Sequence, residues 1–262
     1  VETLTTIGAV SDAARRVTNL LDPDVRMVVL TGAGMSAESG VPTFRDALSG
    51  LWARFDPQRL ATPEAFLADP ALVFGWYLRR TRMVLDVAPH AGYRALVRLA
   101  RLRALQVVTQ NVDGLHARAG SKDVVSLHGS LLHYRCTAGG HPVPLSDILA
   151  LTGGPRVLPP RCGTCGSPVR PGVVWFGEPL SEAALARAHA ITAEADVVLV
   201  VGTSALVYPA AGLPHHAARH GARLVEINPE PTPLSASVDI RWPEPAGTAL
   251  PALAAAVLAR DS

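Results

Sequence analysis

Four consecutive apolar residues, Met27 to Leu30, run into Thr31 and then Gly32-Ala33-Gly34, and this junction restricts the fold more than any other stretch of the chain. An unbroken apolar run bounded by glycine reads as a strand buried on both faces, as in a parallel sheet covered by helices. Gly32 and Gly34 let backbone approach backbone without a Cβ clash. A helix after them is expected to turn free N–H groups and its positive dipole end toward an anion. A pyrophosphate fits that description. The spacing departs from the common G-x-G-x-x-G, because the glycine after Gly34 is Gly40, so the stretch predicts a modified nucleotide site. A simple tight turn is the alternative.

The rest of the chain repeats the strand pattern. Apolar runs at Leu105–Val108, Val124–Leu127, Val173–Phe176, Val197–Val201 and Leu224–Ile227 each end in small or polar residues. These ends are Thr109-Gln-Asn-Val-Asp-Gly-Leu-His116, His128-Gly129, Gly177-Glu178, Gly202-Thr-Ser204 and Asn228-Pro229. With Met27–Leu30 they predict a doubly wound, Rossmann-like parallel sheet of about six strands in an α/β fold. In such a sheet the carboxyl ends share one edge, where ligands bind. Helices are expected over 11–21, 70–87, 93–102, 181–195, 210–220 and 249–260, with Thr62 and Pro63 opening a further one.

The alternation breaks between His128 and Val173. Cys136 is followed by Gly139 and His141, and then by Cys162-Gly-Thr-Cys165. Two C-x-x-C knuckles would be a strong zinc signature; here one is intact and the other has glycine where its second cysteine would fall. Cys136, Cys162 and Cys165 with His141 would complete a Cys3His site, and a partly degenerate zinc site is the alternative. The module lacks the basic, aromatic face of a nucleic-acid binder.

Composition narrows the partners. The 262 residues are 48% hydrophobic and 18% charged with a net charge of +2, which gives no broad field for nucleic acid or an anionic membrane. No apolar run is long enough to span a bilayer, no signal-peptide pattern opens the chain, and three cysteines argue against a disulfide framework. A cytoplasmic location and a monomer are the expectation.

Taken in order, Gly-Ala-Gly-x-Ser-x-x-Ser-Gly-Val-Pro-Thr-Phe-Arg (32–45), Thr-Gln-Asn-Val-Asp-Gly-Leu-His (109–116), His128-Gly129, the cysteine module, Phe176-Gly-Glu178 and Gly202-Thr-Ser204 resemble the sirtuins, the NAD-dependent protein lysine deacylases. The resemblance implies a large NAD-binding domain (1–45, 88–129 and 172–262) and a small domain of helical lobe and zinc ribbon (46–87 and 130–171). Acyl-lysine proteins or peptides would enter between them. NAD would be consumed as co-substrate: the acyl oxygen attacks the ribose carbon bearing nicotinamide, leaving lysine, nicotinamide and O-acyl-ADP-ribose. Zinc would be structural.

The resemblance further implies that His128 is the general base, for which an unperturbed pKa of about 6.5 suits imidazole. Asn111 and Gln110 would hold the nicotinamide ribose and Asp113 would organise the nicotinamide pocket. Phe44 and Arg45 would cover the reacting centre. Gly32, Ala33, Gly34 and Ser36 would serve the pyrophosphate turn, and Gly202, Thr203, Ser204, Asn228 and Ala246 the adenosine half. Val174, Trp175, Phe176, Gly177 and Glu178 would line the acyl-lysine channel.

Ala61, Tyr77 and Arg80 resemble the subgroup that removes succinyl, malonyl or glutaryl groups. There a small residue widens the pocket while phenol and guanidinium bind the distal carboxylate. Tyr77 and Arg80, three apart, share a helix face. On residues alone they also read as a core-edge tyrosine and a solvated arginine. A mono-ADP-ribosyltransferase and a non-catalytic NAD-sensing module are the competing functions.

Overall fold

The computed structural model describes residues 12–42 and 60–262. Its first elements are α1 (Asp12–Thr18), β1 (Arg26–Thr31), α2 (Gly34–Ala37), α3 (Pro63–Ala68), α4 (Pro70–Asp86), α5 (Ala91–Leu99), β2 (Ala104–Thr109), α6 (Leu115–Ala119) and β3 (Val124–Ser126). Then come β4 (Gly129–Cys136), β5 (Pro142–Val143), α7 (Leu145–Leu149), β6 (Val169–Val173), α8 (Glu182–Ala193) and β7 (Val197–Val201). The chain closes with α9 (Leu213–Arg219), β8 (Arg223–Ile227), β9 (Ile240–Trp242) and α10 (Ala246–Asp261).

Six strands form the expected parallel sheet, in the order β3-β2-β1-β7-β8-β9. Side chains alternate across it. Met27 and Val29 join Leu96, Leu99, Leu250 and Leu253 on one face, while Val28, Leu30, Val198 and Val200 join Ala188, Leu213 and Ala217 on the other. The chain leaves β1 toward β2 and β3 and returns to its other side at β7. The topological switch point, where ligands settle in open α/β sheets, therefore lies between β1 and β7.

One predicted member of this sheet belongs elsewhere. The apolar run at 173–176 is not a parallel strand: β6 ends at Val173 and pairs antiparallel with β4 in a separate three-stranded sheet, β5-β4-β6. The run is apolar because Trp175 packs on Phe66 and Tyr77, with ring centroids 5.2 and 6.2 Å away. The sixth parallel strand is β9, three residues at the edge with only its first and third buried, too short to announce itself as a buried run.

Helix α3 starts as predicted, Thr62 Oγ1 accepting from Ala65 N at 3.1 Å with Pro63 in the first turn. Asp69 repeats the device before Pro70, accepting from Leu72 N at 3.1 Å and opening α4. The long α4 then crosses the small sheet, where Thr81 Oγ1 meets Tyr134 Oη at 2.8 Å and donates to the Leu131 carbonyl.

Candidate functional site

At the switch point two strand-end turns interlock. A Cβ on Gly32 would stand 2.7 Å from Thr203 Cβ, one on Gly34 2.8 Å from the Gly202 carbonyl oxygen, and one on Gly202 2.3 Å from Met35 N. Gly202 also sits at φ +58. The glycines thus serve the contact between turns. The free N–H groups expected from the following helix are largely spent. Gly34, Met35 and Ser36 N–H donate to the carbonyls of Gly202, Gly32 and Ala33, and α2 is a single turn. Ala33 N–H has no partner among the described residues and Ala33 lines the cavity that opens here, so this N–H is the donor left for a phosphate oxygen.

That cavity, about 550 Å³, runs along the carboxyl edge of the sheet to the small sheet. It brings together Gly32, Ala33, Gly34, Ser36, Ala61, Tyr77, Arg80, Gln110, Asn111, Asp113, His128, Gly202, Thr203, Ser204 and Asn228, and the stretch 174–178. Ala246 is not among the lining residues; it is buried at the start of α10, where its carbonyl lies 2.7 Å from a Cβ placed on Gly92. Phe44 and Arg45 lie outside the described residues.

At the centre, Asn111 Nδ2 donates to the Gly32 carbonyl and to Ser36 Oγ, each at 2.9 Å. Both amide hydrogens are so committed, which leaves Oδ1 for a ligand hydroxyl. Ser36 Oγ donates to Asp113 Oδ2 at 2.7 Å, and Leu115 N donates to Asp113 Oδ1 at 2.8 Å. Burial raises the Asp113 pKa, opposed by these hydrogen bonds and by the charges of Arg80 and Arg118. His128 holds Nδ1 3.0 Å from the Gln110 carbonyl; a carbonyl only accepts, so the proton is on Nδ1 and Nε2 carries the lone pair. Burial pushes the His128 pKa down, with that hydrogen bond working the other way, so the ring is neutral and basic at pH 7.

Thr203 holds the far half of the cavity: its Oγ1 accepts from Gln110 Nε2 at 3.1 Å and its carbonyl from Asn228 Nδ2 at 2.9 Å. Beyond it, the buried Glu226 receives the hydroxyls of Thr232 and Ser235, fixing a loop whose residues Glu230, Pro231 and Thr232 line the wall.

The other end is walled by α4 and the turn after β6. Phe176 N donates to the Ala61 carbonyl at 2.8 Å and Val174 N to the His128 carbonyl at 2.9 Å. Tyr77 and Arg80 are both buried, on one face of α4, so the solvated-arginine reading fails. Burial pushes the Tyr77 hydroxyl far above its ordinary pKa, so it stays a donor. Burial also lowers the Arg80 pKa, and its guanidinium lies 5.0 Å from the Trp76 ring centroid.

Glu178 lines the cavity with its neighbours and is also held from behind. Its carboxylate is gripped by Arg170 at 2.5 and 2.8 Å and accepts from Trp175 N at 2.8 Å. Arg170 also lies 3.4 Å over the Trp175 ring. Glu178 and Arg170 thus pin the turn that carries 174–177. Arg170 escaped the sequence reading, since an arginine beside Pro171 has no periodic signal; Tyr93, which meets Ser36 Oγ at 2.8 Å, was absorbed into a helix pattern.

In the cysteine module the ligand atoms of Cys136, His141, Cys162 and Cys165 lie within 4.8 Å of one another. His141 Nδ1 is 3.4 Å from Cys136 Sγ and 3.7 Å from Cys162 Sγ, and Cys165 and Cys136 Sγ are 3.6 Å apart. A zinc tetrahedron with bonds of about 2.3 Å to sulfur has edges of about 3.8 Å, so the four donors fit the ion. Gly139 is explained by the same geometry. A Cβ there would lie 2.5 Å from the His141 ring, so a side chain at 139 and the inward imidazole exclude each other. Hydrogen bonds from Ser167 bring Cys165 down to about 6, toward the thiolate that binds metal.

A model of the Sir2 family matches residues 32–209. The chain is 52% identical over 242 residues to the NAD-dependent protein deacylase 1 of Pseudomonas aeruginosa, spanning 91% of this chain and 97% of that protein. It is likewise 52% identical over 231 residues to the NAD-dependent protein deacylase of Mycobacterium tuberculosis, spanning 87% and 96%. Among solved structures, a Sir2 homologue in complex with NAD superimposes with a TM-score of 0.88 at 42% identity, covering 95% of each chain. A Sir2 protein with a p53 peptide and NAD+ gives 0.81 at 31%, covering 94% and 98%.

Proposed function

Because the chain belongs to the Sir2 family, we propose that it is an NAD-dependent protein lysine deacylase that prefers acyl groups ending in a carboxylate. The acyl oxygen bonds to the ribose carbon of NAD as the bond from that carbon to nicotinamide breaks, and one water then takes part in breaking the acyl–lysine C–N bond; lysine, nicotinamide and O-acyl-ADP-ribose are the products. The chain's own residues do the rest. Ala33 N–H, with the interlocked turns of Gly32, Gly34 and Gly202, faces the pyrophosphate. Thr203, Ser204 and Asn228 hold the adenosine half, and Gln110 and Asn111 Oδ1 hold the nicotinamide ribose. Asp113 organises the nicotinamide pocket through Ser36.

His128 accepts the proton of a ribose hydroxyl at Nε2, a role supported by its fixed tautomer and neutral ring. The peptide pairs as an added strand along 174–177, whose turn Glu178 anchors, and its lysine enters the cleft between the large and small domains. At the end of that channel Ala61 leaves room while Tyr77 and Arg80 bind the distal carboxylate. Cys136, His141, Cys162 and Cys165 hold zinc, which joins the ends of the ribbon away from the cavity.

The observation that carries the acyl preference is the placement of a phenol and a guanidinium on one face of α4 against the cavity, a hydroxyl donor and a charged fork that match a carboxylate. Nicotinamide release with NAD and matched succinyl-lysine and acetyl-lysine peptides tests it. A higher kcat/KM for succinyl supports the pocket; a preference for acetyl removes it.

A further inference from the structure

We propose that Tyr93 is a positioning residue for the reaction, holding Asp113 ionised through Ser36; the inference rests on the deacylase reading above. Tyr93 is fully buried and does not line the cavity. Its ring is wedged edge-on between His90 and His116, with centroids 4.9 and 4.8 Å away. His90 is itself fixed: Nδ1 accepts from Gly92 N at 3.0 Å and Nε2 meets the Met35 carbonyl at 2.7 Å. The wedge brings Tyr93 Oη to 2.8 Å from Ser36 Oγ, the atom that also accepts from Asn111 and lies 2.7 Å from Asp113.

Counting protons sets the direction of this chain. Ser36 has one hydroxyl hydrogen, and Asp113 has none when ionised. If the chain runs Tyr93 to Ser36 to Asp113, every hydrogen has an acceptor and both carboxylate oxygens are satisfied, Oδ1 by Leu115 N. The reverse order, from a protonated Asp113 through Ser36 to Tyr93, leaves the phenolic hydrogen without an acceptor among the described residues, a costly arrangement. Tyr93 therefore biases Asp113 toward the charged form against the burial that raises its pKa. Among the described residues, the other charged groups facing Asp113 are Arg80 from α4 and Arg118 from α6, while His116, buried and brought down to about 3, is neutral.

Tyr93→Phe keeps the ring and removes the proton donor. A lost net hydrogen bond corresponds to a fall of about 2- to 13-fold in kcat/KM for NAD and an upward move of the acid limb of its pH profile by about 0.4 to 1 unit. In a Ser36→Ala background the same substitution should change neither quantity further, because its path to Asp113 is gone. An unmoved acid limb, or an equal loss in the Ser36→Ala background, overturns the proposal. If Tyr93→Phe fails to fold, 3-fluorotyrosine placed at 93 decides: its stronger donor should move the acid limb down, and no movement refutes the relay. Absence of NAD-dependent deacylation in the wild type would instead refute the underlying reading, so the two failures are distinguishable.

Discussion

Replacing Arg80 by methionine separates the carboxylate pocket from the common chemistry. The guanidinium is buried on α4 beside Tyr77, over the Trp76 ring at 5.0 Å, and methionine retains much of that apolar packing while removing the charge and the fork of donors. Hydrogen bonds to a charged partner contribute about 1.5–3 kcal/mol, which corresponds to about 10- to 150-fold in kcat/KM for a succinyl-lysine peptide. An acetyl group has no distal carboxylate, so it loses only the indirect effect of Arg80 on Asp113, whose pKa rises further without that charge. Deacetylation should therefore fall by less than desuccinylation. The assay is nicotinamide release from both peptides over a concentration series. Equal losses on the two substrates would refute the reasoning, because they would make Arg80 a general structural element.

Other outcomes follow from the same geometry. His128→Ala should abolish O-acyl-ADP-ribose formation while calorimetry still detects NAD binding; continued turnover would remove the ring from proton transfer. Elemental analysis should find one zinc per chain, and His141→Ala should lose it together with thermal stability, whereas a variant retaining full zinc would exclude the imidazole as ligand. Burial raises the Glu178 pKa, but Arg170 and the Trp175 N–H outweigh it and hold the carboxyl below its ordinary value. The stability from this pair is therefore present above about pH 4.3, the unfolded value, and is lost as pH falls through the depressed folded value. Glu178→Gln should flatten the acid side of a urea-midpoint titration, and an unchanged slope would contradict the assignment.

The parallel sheet was legible because its central strands are unbroken apolar runs, and the Gly32–Gly34 turn marked its carboxyl edge. The edge strand Ile240–Trp242 was not, since three residues with one exposed carry no period. The run at 173–176 misled for the opposite reason: Val173 belongs to the small antiparallel sheet and Trp175 is buried against Phe66, Tyr77 and Arg170, while Phe176 is exposed. Side chains that face the cavity came from motifs at strand ends. Those that act from behind are hidden for two reasons: Tyr93 lies inside a helix pattern far along the chain from Ser36, and Arg170 lies inside the strand β6 close to Trp175, so only the folded contact reveals them. His141 shows the intermediate case, where the missing cysteine at 139 was visible but the exclusion between a Cβ there and the imidazole was geometric.

The central claim is tested most directly by mass spectrometry of the complete reaction: wild-type protein, NAD and a succinyl-lysine peptide. The account predicts unmodified lysine peptide, nicotinamide and O-succinyl-ADP-ribose in equal amounts, with nothing formed when NAD is omitted. Peptide that keeps its acyl group while nicotinamide is released and ADP-ribose becomes attached to protein would contradict it.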